Sequence, residues 1–187
     1  MFDKIIILSQ QFFARPTLIV AKDLIGKVLV RKLSKGVWRY RITEVEAYCG
    51  VKDLACHANK GKTKRTEVMF GPAGYIYVYL IYGMYHCLNL VTAGDGQGEA
   101  VLVRAVEPLF STTDWPVGPG RLCKYLQIDK SLNRLKLGRT GGLWVEDDGC
   151  IIKSSDIKTS IRRGVDYAKN YANKPWRFYL KGSRFVS

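Results

Sequence analysis

Tyrosines and aliphatic residues alternate along one short stretch of the chain, and this alternation limits the local fold to a strand. Five of the eleven tyrosines fall between Tyr75 and Tyr85, in the sequence YIYVYLIYGMY. Aromatic and β-branched residues favour strands, in which successive side chains point to opposite faces. Gly83 interrupts the pattern, and a second alternating run continues to Thr92. The stretch therefore predicts a β-hairpin with Tyr82, Gly83 and Met84 at its tip.

The charge of the chain gives this hairpin two possible meanings. Lys and Arg number 30 against 16 Asp and Glu, a formal net charge of +14. Such a surface attracts polyanions, so aromatic residues at a hairpin tip predict insertion between nucleic-acid bases. The alternative is that the tyrosines fill a sheet, as most aromatic residues do. The charge alone fits a ribosome-associated or membrane-surface protein as well.

Length and patterning indicate one domain spanning residues 1–187. An apolar content of 47% in 187 residues is enough for a single core. Apolar spacing predicts a helix over Thr17 to Ile25, ended by Gly26. Alternating runs predict strands over Trp38 to Tyr48 and Ala100 to Val106. Because hairpins outnumber helices, we expect an α+β fold: a mainly antiparallel, curved sheet with peripheral helices and a protruding hairpin.

Several classes of protein are disfavoured by what the sequence lacks. Five cysteines without C-x-x-C spacing argue against a disulfide framework and a structural zinc site. With only two histidines, we expect no metal and no cofactor. No apolar run approaches the roughly 20 residues that span a bilayer, and no secretory segment is visible. We therefore expect a cytoplasmic protein with no membrane partner.

Two acidic residues in the long strand pattern require an explanation. If alternation holds from Trp38 to Tyr48, then Glu44 and Glu46 share a face with large apolar residues. A carboxylate in such surroundings is costly unless it is paired, and catalytic bases are often held in this way. The alternatives are a strand end in solvent and a structural ion pair.

A basic residue stands in an equally apolar strand. Arg104 lies inside AVLVRAV, where a permanent charge should meet a carboxylate or a phosphate. Glu46 is a plausible partner. Alternatively, the strand lies at an edge and Arg104 extends into solvent.

The segment from Val51 to Thr66 is polar and basic, and we expect a functional loop. His57 precedes its basic part and is a candidate ligand, general base or hydrogen-bond donor, although a lone histidine is more often structural. Asn89 on the second hairpin strand offers an amide that can read a base edge or simply end a pairing register.

Taken in order, these residues form part of a longer pattern. Its segments are TEVEAY with Glu46 and Tyr48, A-x-H ending in His57, T-x-R at Thr63 and Arg65, MFGPAG, YVYLIYGMY, C-x-N ending in Asn89, LVRAVEP, GPGRLC and KPWRFYLKGS. This ordered set resembles the alkyladenine family of DNA-3-methyladenine glycosylases. The resemblance covers roughly Phe12 to Ser187. Two positions depart from many relatives: Tyr85-His86 reverses the expected order, and Lys64 replaces proline.

The resemblance implies a monofunctional, metal-free enzyme that flips a damaged purine out of double-stranded DNA and hydrolyses its N-glycosidic bond. We expect this enzyme to act as a monomer. It implies roles for ten residues: a general base (Glu46) and its partner (Arg104), base-pocket residues (Tyr48, His57, Tyr79 and Asn89), intercalating residues (Tyr82 and Met84) and DNA-backbone contacts (Thr63 and Arg65). Tyr75 and Tyr77 are expected to serve packing. A non-catalytic minor-groove or lesion-binding protein and an RNA-binding module remain alternatives.

Overall fold

The computed structural model describes residues 5–112, 115 and 117–187. The strands are β1 (Ile6–Ile7), β2 (Val28–Leu33), β3 (Gly36–Cys49), β4 (Ile76–Ile81), β5 (Tyr85–Thr92), β6 (Glu99–Pro108), β7 (Leu143–Asp147), β8 (Ile157–Ser160) and β9 (Arg177–Leu180). The α-helices are α1 (Gln10–Phe13), α2 (Thr17–Leu24) and α3 (Pro119–Tyr125). Short 3₁₀ helices lie at Gly50–Lys52, His57–Lys60, Glu67–Phe70, Lys130–Leu132, Ser154–Asp156 and Asp166–Tyr171.

All of these strands join one sheet with antiparallel pairing. The order is β1-β7-β2-β3-β6-β5-β4, and β9 lies beside the second half of β3 with β8 outside it. The helices α2 and α3 contribute side chains to the main hydrophobic core on one face. The predicted α+β class and the mainly antiparallel sheet are confirmed, and α2 begins at the predicted residue.

The hairpin prediction is also confirmed. Strands β4 and β5 pair up to Ile81 and Tyr85. Ile76 and Val78 point into the main core, while Tyr77 joins a smaller cluster on the opposite face. The sheet therefore has a helix-covered face and a second face lined by aromatic side chains.

A β-bulge in β3 makes one sequence prediction wrong. Alternation would place Ile42, Glu44 and Glu46 on one face, but the register with β6 shifts between Ile42 and Glu44 and again before Val45. Ile42 and Val45 both lie in the main core, so the inserted residue turns Glu44 and Glu46 towards the second face. At the same place the strand paired with β3 on the side opposite β6 changes from β2 to β9.

The predicted polar loop is a folded segment that covers the second face. Cys56 and Ala58 are buried there in a cluster that also contains Tyr77. Ala58 can approach because Gly98 has no side chain: a Cβ at Gly98 would lie 2.8 Å from that of Ala58 and 2.9 Å from the ring of Phe70. Gly98 thereby allows the turn carrying His57 to lie against the sheet.

Within the residues described, no helix is both long enough and apolar enough to cross a membrane.

Two glycines in one loop provide a matched test of this packing. Gly96 and Gly98 both have left-handed backbones, with φ of +82° and +69°, but a Cβ at Gly96 would meet nothing within 4 Å. Gly96→Ala should cost about 1–2 kcal/mol from backbone strain alone. Gly98→Ala should cost about 1–3 kcal/mol more because of overpacking. Urea unfolding measures both free energies, and equal losses would contradict the packing role of Gly98.

Candidate active site

A cavity of about 390 Å³ opens on the second face of the sheet, beside the hairpin tip. Such a volume is typical of small-ligand pockets. Six of the ten predicted site residues line it: Tyr48, His57, Tyr79, Tyr82, Asn89 and Arg104. Strands β3 to β6 and the loop after β3 bring together these residues, which are up to 56 positions apart in the sequence.

Glu46 lies fully buried behind the lining of this cavity, held by three donors. The Tyr48 hydroxyl donates to Oε2 at 2.9 Å, and the Arg163 backbone N–H donates to Oε1 at 2.8 Å. Arg104 Nη1 lies 3.3 Å from Oε1. A carboxylate offers about four acceptor positions, so these three contacts leave one acceptor position of Glu46 unused.

Tyr48 acts as a donor in this arrangement. Burial, and then the nearby Glu46 carboxylate, raise the pKa of Tyr48 well above its ordinary value. The phenol therefore keeps its proton at neutral pH and can donate a hydrogen bond to Glu46.

Arg104 lies between two carboxylates. Its Nε donates to Glu44 Oε1 at 2.9 Å, and its Nη1 faces Glu46. The predicted pairing with Glu46 is confirmed. The edge-strand alternative is wrong because β6 lies between β3 and β5, which leaves a buried arginine no route to solvent along an open edge.

Glu44 anchors the far side of Arg104. It is fully buried and also accepts from Arg177 Nη1 at 2.7 Å and from the backbone N–H of Ser187 at 2.6 Å. Burial by itself would raise the pKa of Glu44, but the Ser187 N–H, the charge of Arg104 and the bond from Arg177 together lower it. Glu44 is thus a buried acceptor of donors from Arg104, Arg177 and Ser187, whereas Glu46 is the acid next to the cavity.

Aromatic rings form one wall of the cavity. The His57 ring lies edge-on to Tyr79 with 4.5 Å between centroids, and Tyr77 lies 5.5 Å from Tyr79. The Tyr77 hydroxyl is 2.9 Å from His57 Nδ1. The prediction that Tyr77 serves packing was therefore incomplete, because this buried residue also lines the cavity and orients His57.

The surroundings of His57 keep its imidazole neutral. Burial first, and then the positive charges of Arg65 and Lys60, lower the pKa of His57 to about 4. Burial raises the pKa of Tyr77, and the nearby positive charge of Arg65 opposes this rise.

Asn89 is buried in the cavity wall, and its amide nitrogen is held in place. Nδ2 donates to the backbone carbonyls of Tyr77 at 3.2 Å and Cys87 at 3.4 Å. The side chain consequently presents a fixed shape to a bound molecule.

The two predicted DNA-backbone residues lie at an adjoining cavity of about 350 Å³. Thr63 and Arg65 are both exposed. The Thr63 hydroxyl bonds the hydroxyl of Thr66 at 3.0 Å, and the guanidinium of Arg65 lies 5.3 Å from the centre of the Tyr79 ring. Arg65 therefore helps to build the aromatic wall, and its contact with DNA stays a prediction.

The hairpin tip projects into solvent. Tyr82 is 85% exposed and Met84 is 67% exposed. Tyr82 has φ of 52°, in the left-handed region that is unfavourable for such a residue. Tyr82 borders the 390 Å³ cavity, whereas Met84 borders a separate groove against α3. Tyr85 packs on Gly120, where an added Cβ would lie 2.8 Å from the ring.

The segment 162–167 supplies functional residues that the sequence analysis missed. Arg163, Val165 and Tyr167 line the cavity, and Arg163 holds Glu46 through its backbone. A backbone contact leaves no mark on residue type. The buried Arg162 looks in the sequence like any other basic residue of a basic chain.

Comparison with known proteins agrees with this geometry. The family model described as methylpurine-DNA glycosylase (MPG) matches residues 11–184. The chain belongs to the methylpurine-DNA glycosylase family. Membership makes it a DNA glycosylase, a base-excision-repair hydrolase of N-glycosidic bonds, and confirms the resemblance seen in the sequence.

Similar proteins match over nearly their whole length. A Myxococcus xanthus protein is 50% identical, over 96% of this chain and 93% of its own. Proteins of Methanocella arvoryzae and Legionella pneumophila are each 48% identical, over 97% and 96% of this chain and 96% and 97% of their own. All three are provisionally named 3-methyladenine DNA glycosylases.

Titration of His57 tests the electrostatics of the pocket. Followed by NMR, its imidazole should protonate with a midpoint of about 4, against about 6.5 in the unfolded chain. Because the unfolded chain then binds the proton more readily, His57 should reduce folding stability as pH falls from about 6.5 towards 4. Arg65→Met removes the larger of the two repelling charges and should raise the midpoint. A midpoint near 6.5 in the wild type would contradict the burial of this ring.

Proposed function

We propose that this chain flips alkylated or deaminated purines, of the 3-methyladenine type, out of duplex DNA into the 390 Å³ cavity, and that Glu46 activates the water that hydrolyses the N-glycosidic bond. The observation that carries the proposal is the buried Glu46 beside an aromatic cavity, held by Arg104, Tyr48 and the Arg163 N–H. An anionic carboxylate held this precisely next to a ligand-sized cavity is typical of a general base.

In the proposed reaction, Glu46 accepts a proton from water as the water oxygen bonds to C1′ of the sugar. The electrons of the C1′–N bond leave with the base. Positive charge develops on the sugar as that bond breaks, and the Glu46 carboxylate stabilises it. Arg104 keeps Glu46 and the water in line, since its other side is fixed by Glu44. A methylated purine is already a good leaving group, so no metal is needed for its departure.

The cavity suits an electron-poor purine. Tyr48, Tyr79 and His57 provide aromatic surfaces, and aromatic faces attract cationic groups. We propose that the fixed amide of Asn89 disfavours normal guanine by confronting its exocyclic amine.

A flipped nucleotide leaves a gap in the duplex, and the hairpin tip has the exposure needed to fill it. We propose that Tyr82 intercalates, with Met84 beside it in the minor groove, since inserted apolar wedges offset the cost of unstacking. The net charge of +14 draws the duplex in, and Thr63 and Arg65 contact its phosphates.

The whole chain, residues 1–187, acts in this proposal as one domain and as a monomer. The five free cysteines suit a reducing cytoplasm. Among the described residues no group of three or more His, Cys, Asp or Glu side chains is arranged to hold a metal ion, and metal independence stays a prediction.

Release of base from methylated duplex DNA is the experiment that decides between this proposal and the two binding-only alternatives. The wild-type protein should release methylated purine and leave an uncut abasic strand. Binding without release would favour a lesion-binding protein. A preference for RNA over DNA would favour an RNA-binding module. Neither alternative explains a buried Glu46 beside Arg104.

Removing the charge of Glu46 should abolish chemistry but not binding. Glu46→Gln keeps the shape and an acceptor oxygen, so affinity for lesion DNA should stay near that of the wild type. Excision in single turnover should fall at least about 100-fold because general-base catalysis is lost. Near-normal excision would remove Glu46 from this role.

Removing the ring of Tyr82 should weaken base extrusion. Tyr82→Ala should shift a fluorescent base analogue towards the stacked state by about 10-fold in the flipping equilibrium, since the gap is no longer filled. Tyr82→Phe is the matched control, because it keeps the ring and should keep extrusion. An alanine variant that flips as well as the phenylalanine variant would refute the wedge.

A further inference from the structure

A second ion pair lies wholly inside the protein next to the cavity. The side chains of Arg162 and Asp53 are both fully buried. Nη1 and Nη2 of Arg162 donate to the two carboxylate oxygens of Asp53 at 2.5 and 2.8 Å. Asp53 also accepts from the backbone N–H groups of Cys49 and Ala55, so its position is fixed relative to the end of β3.

The rest of Arg162 contacts the chain immediately after Glu46. Nη1 donates to the carbonyl of Ala47 at 2.9 Å. The guanidinium carbon lies 4.8 Å from the centre of the Tyr48 ring and 5.0 Å from that of Trp176. A planar guanidinium packed against two rings and forked onto a carboxylate has little freedom to move.

Two of the three donors to Glu46 depend on this one side chain. The Arg163 N–H, which donates to Oε1, belongs to the residue next to Arg162. The Tyr48 hydroxyl, which donates to Oε2, belongs to the ring that lies against its guanidinium. The third donor, Arg104, holds Glu46 independently of Arg162.

We propose that Arg162, fixed by Asp53, is a positioning residue that sets the orientation of the Glu46 carboxylate through the Arg163 N–H and the Tyr48 hydroxyl. This inference rests on the proposed role of Glu46 as general base. Arg162 is not assigned contact with DNA, because its side chain is fully buried.

Stability alone does not account for this pair. Burying two charges costs about as much as their attraction returns, and apolar residues of similar volume often stabilise a core equally well. An apolar pair would, however, not bind the Ala47 carbonyl or the backbone N–H groups of Cys49 and Ala55. What the ion pair adds is a fixed geometry beside Glu46.

Arg162→Lys tests the proposal because it keeps the charge and loses the fork and the planar stack. Single-turnover excision at saturating enzyme should fall about 10–100-fold, since displacements near 1 Å can cost about 100-fold. Affinity for lesion DNA should change less than about threefold. This split between rate and binding is not expected from a merely structural role.

Arg41→Lys is the matched control. Arg41 also forks onto an aspartate, Asp148, with distances of 3.3 and 2.8 Å, and it lies on β3, but before the bulge and away from Glu46. This variant should lose thermal stability while its excision rate stays within about twofold of the wild type. Asp53→Asn is a second variant, and it should slow excision as Arg162→Lys does.

The outcomes distinguish a failure of the positioning role of Arg162 from a failure of the proposed function. Folded Arg162→Lys protein that excises within twofold of the wild type, or that loses affinity as much as rate, overturns the positioning role. If Arg162→Lys does not fold, Asp53→Asn is judged by the same criteria. A wild-type protein that releases no base, or a Glu46→Gln protein that still does, overturns instead the proposed function.

Discussion

The buried contact of one guanidinium with two carboxylates is the constraint on which the architecture of the site depends. Arg104 bonds Glu44 and Glu46 inside the sheet, where an unpaired charge would be costly. Satisfying the two carboxylates takes further donors from β9, from the segment after β8 and from Ser187. Segments distant in the sequence are thereby drawn to one place on the second face.

The β-bulge is what makes this network possible within an otherwise regular sheet. Before the bulge β3 presents Ile42 to the main core, and after it Val45 takes that side. The intervening extra residue directs Glu44 and Glu46 away from the helices without leaving a gap in the core. Bulges commonly re-aim side chains next to active sites, and here two buried carboxylates are re-aimed together.

Local chemistry made much of this structure predictable, and long-range geometry limited the rest. The hairpin and its exposed tip followed from alternation and Gly83, and the permanent charge of Arg104 in an apolar strand indicated a carboxylate or phosphate partner. The bulge at Glu44 was not predictable, because the local pattern alternates as an unbroken strand does. The burial of Arg162 and the backbone bond from Arg163 depend on tertiary packing, which no residue type reports. The hydroxyl of Tyr77 was overlooked because its ring is also good packing material.

The neutral state of His57 bears on which lesions the enzyme can accept. Purines methylated at a ring nitrogen carry a positive charge as nucleosides, whereas deaminated purines are neutral. A protonated imidazole about 4 Å away would repel a cation by about 4 kcal/mol at an effective dielectric constant of 20. By keeping the imidazole uncharged, burial removes this repulsion from the cavity. In the proposed function, the absence of one proton thus spares a cationic base that cost.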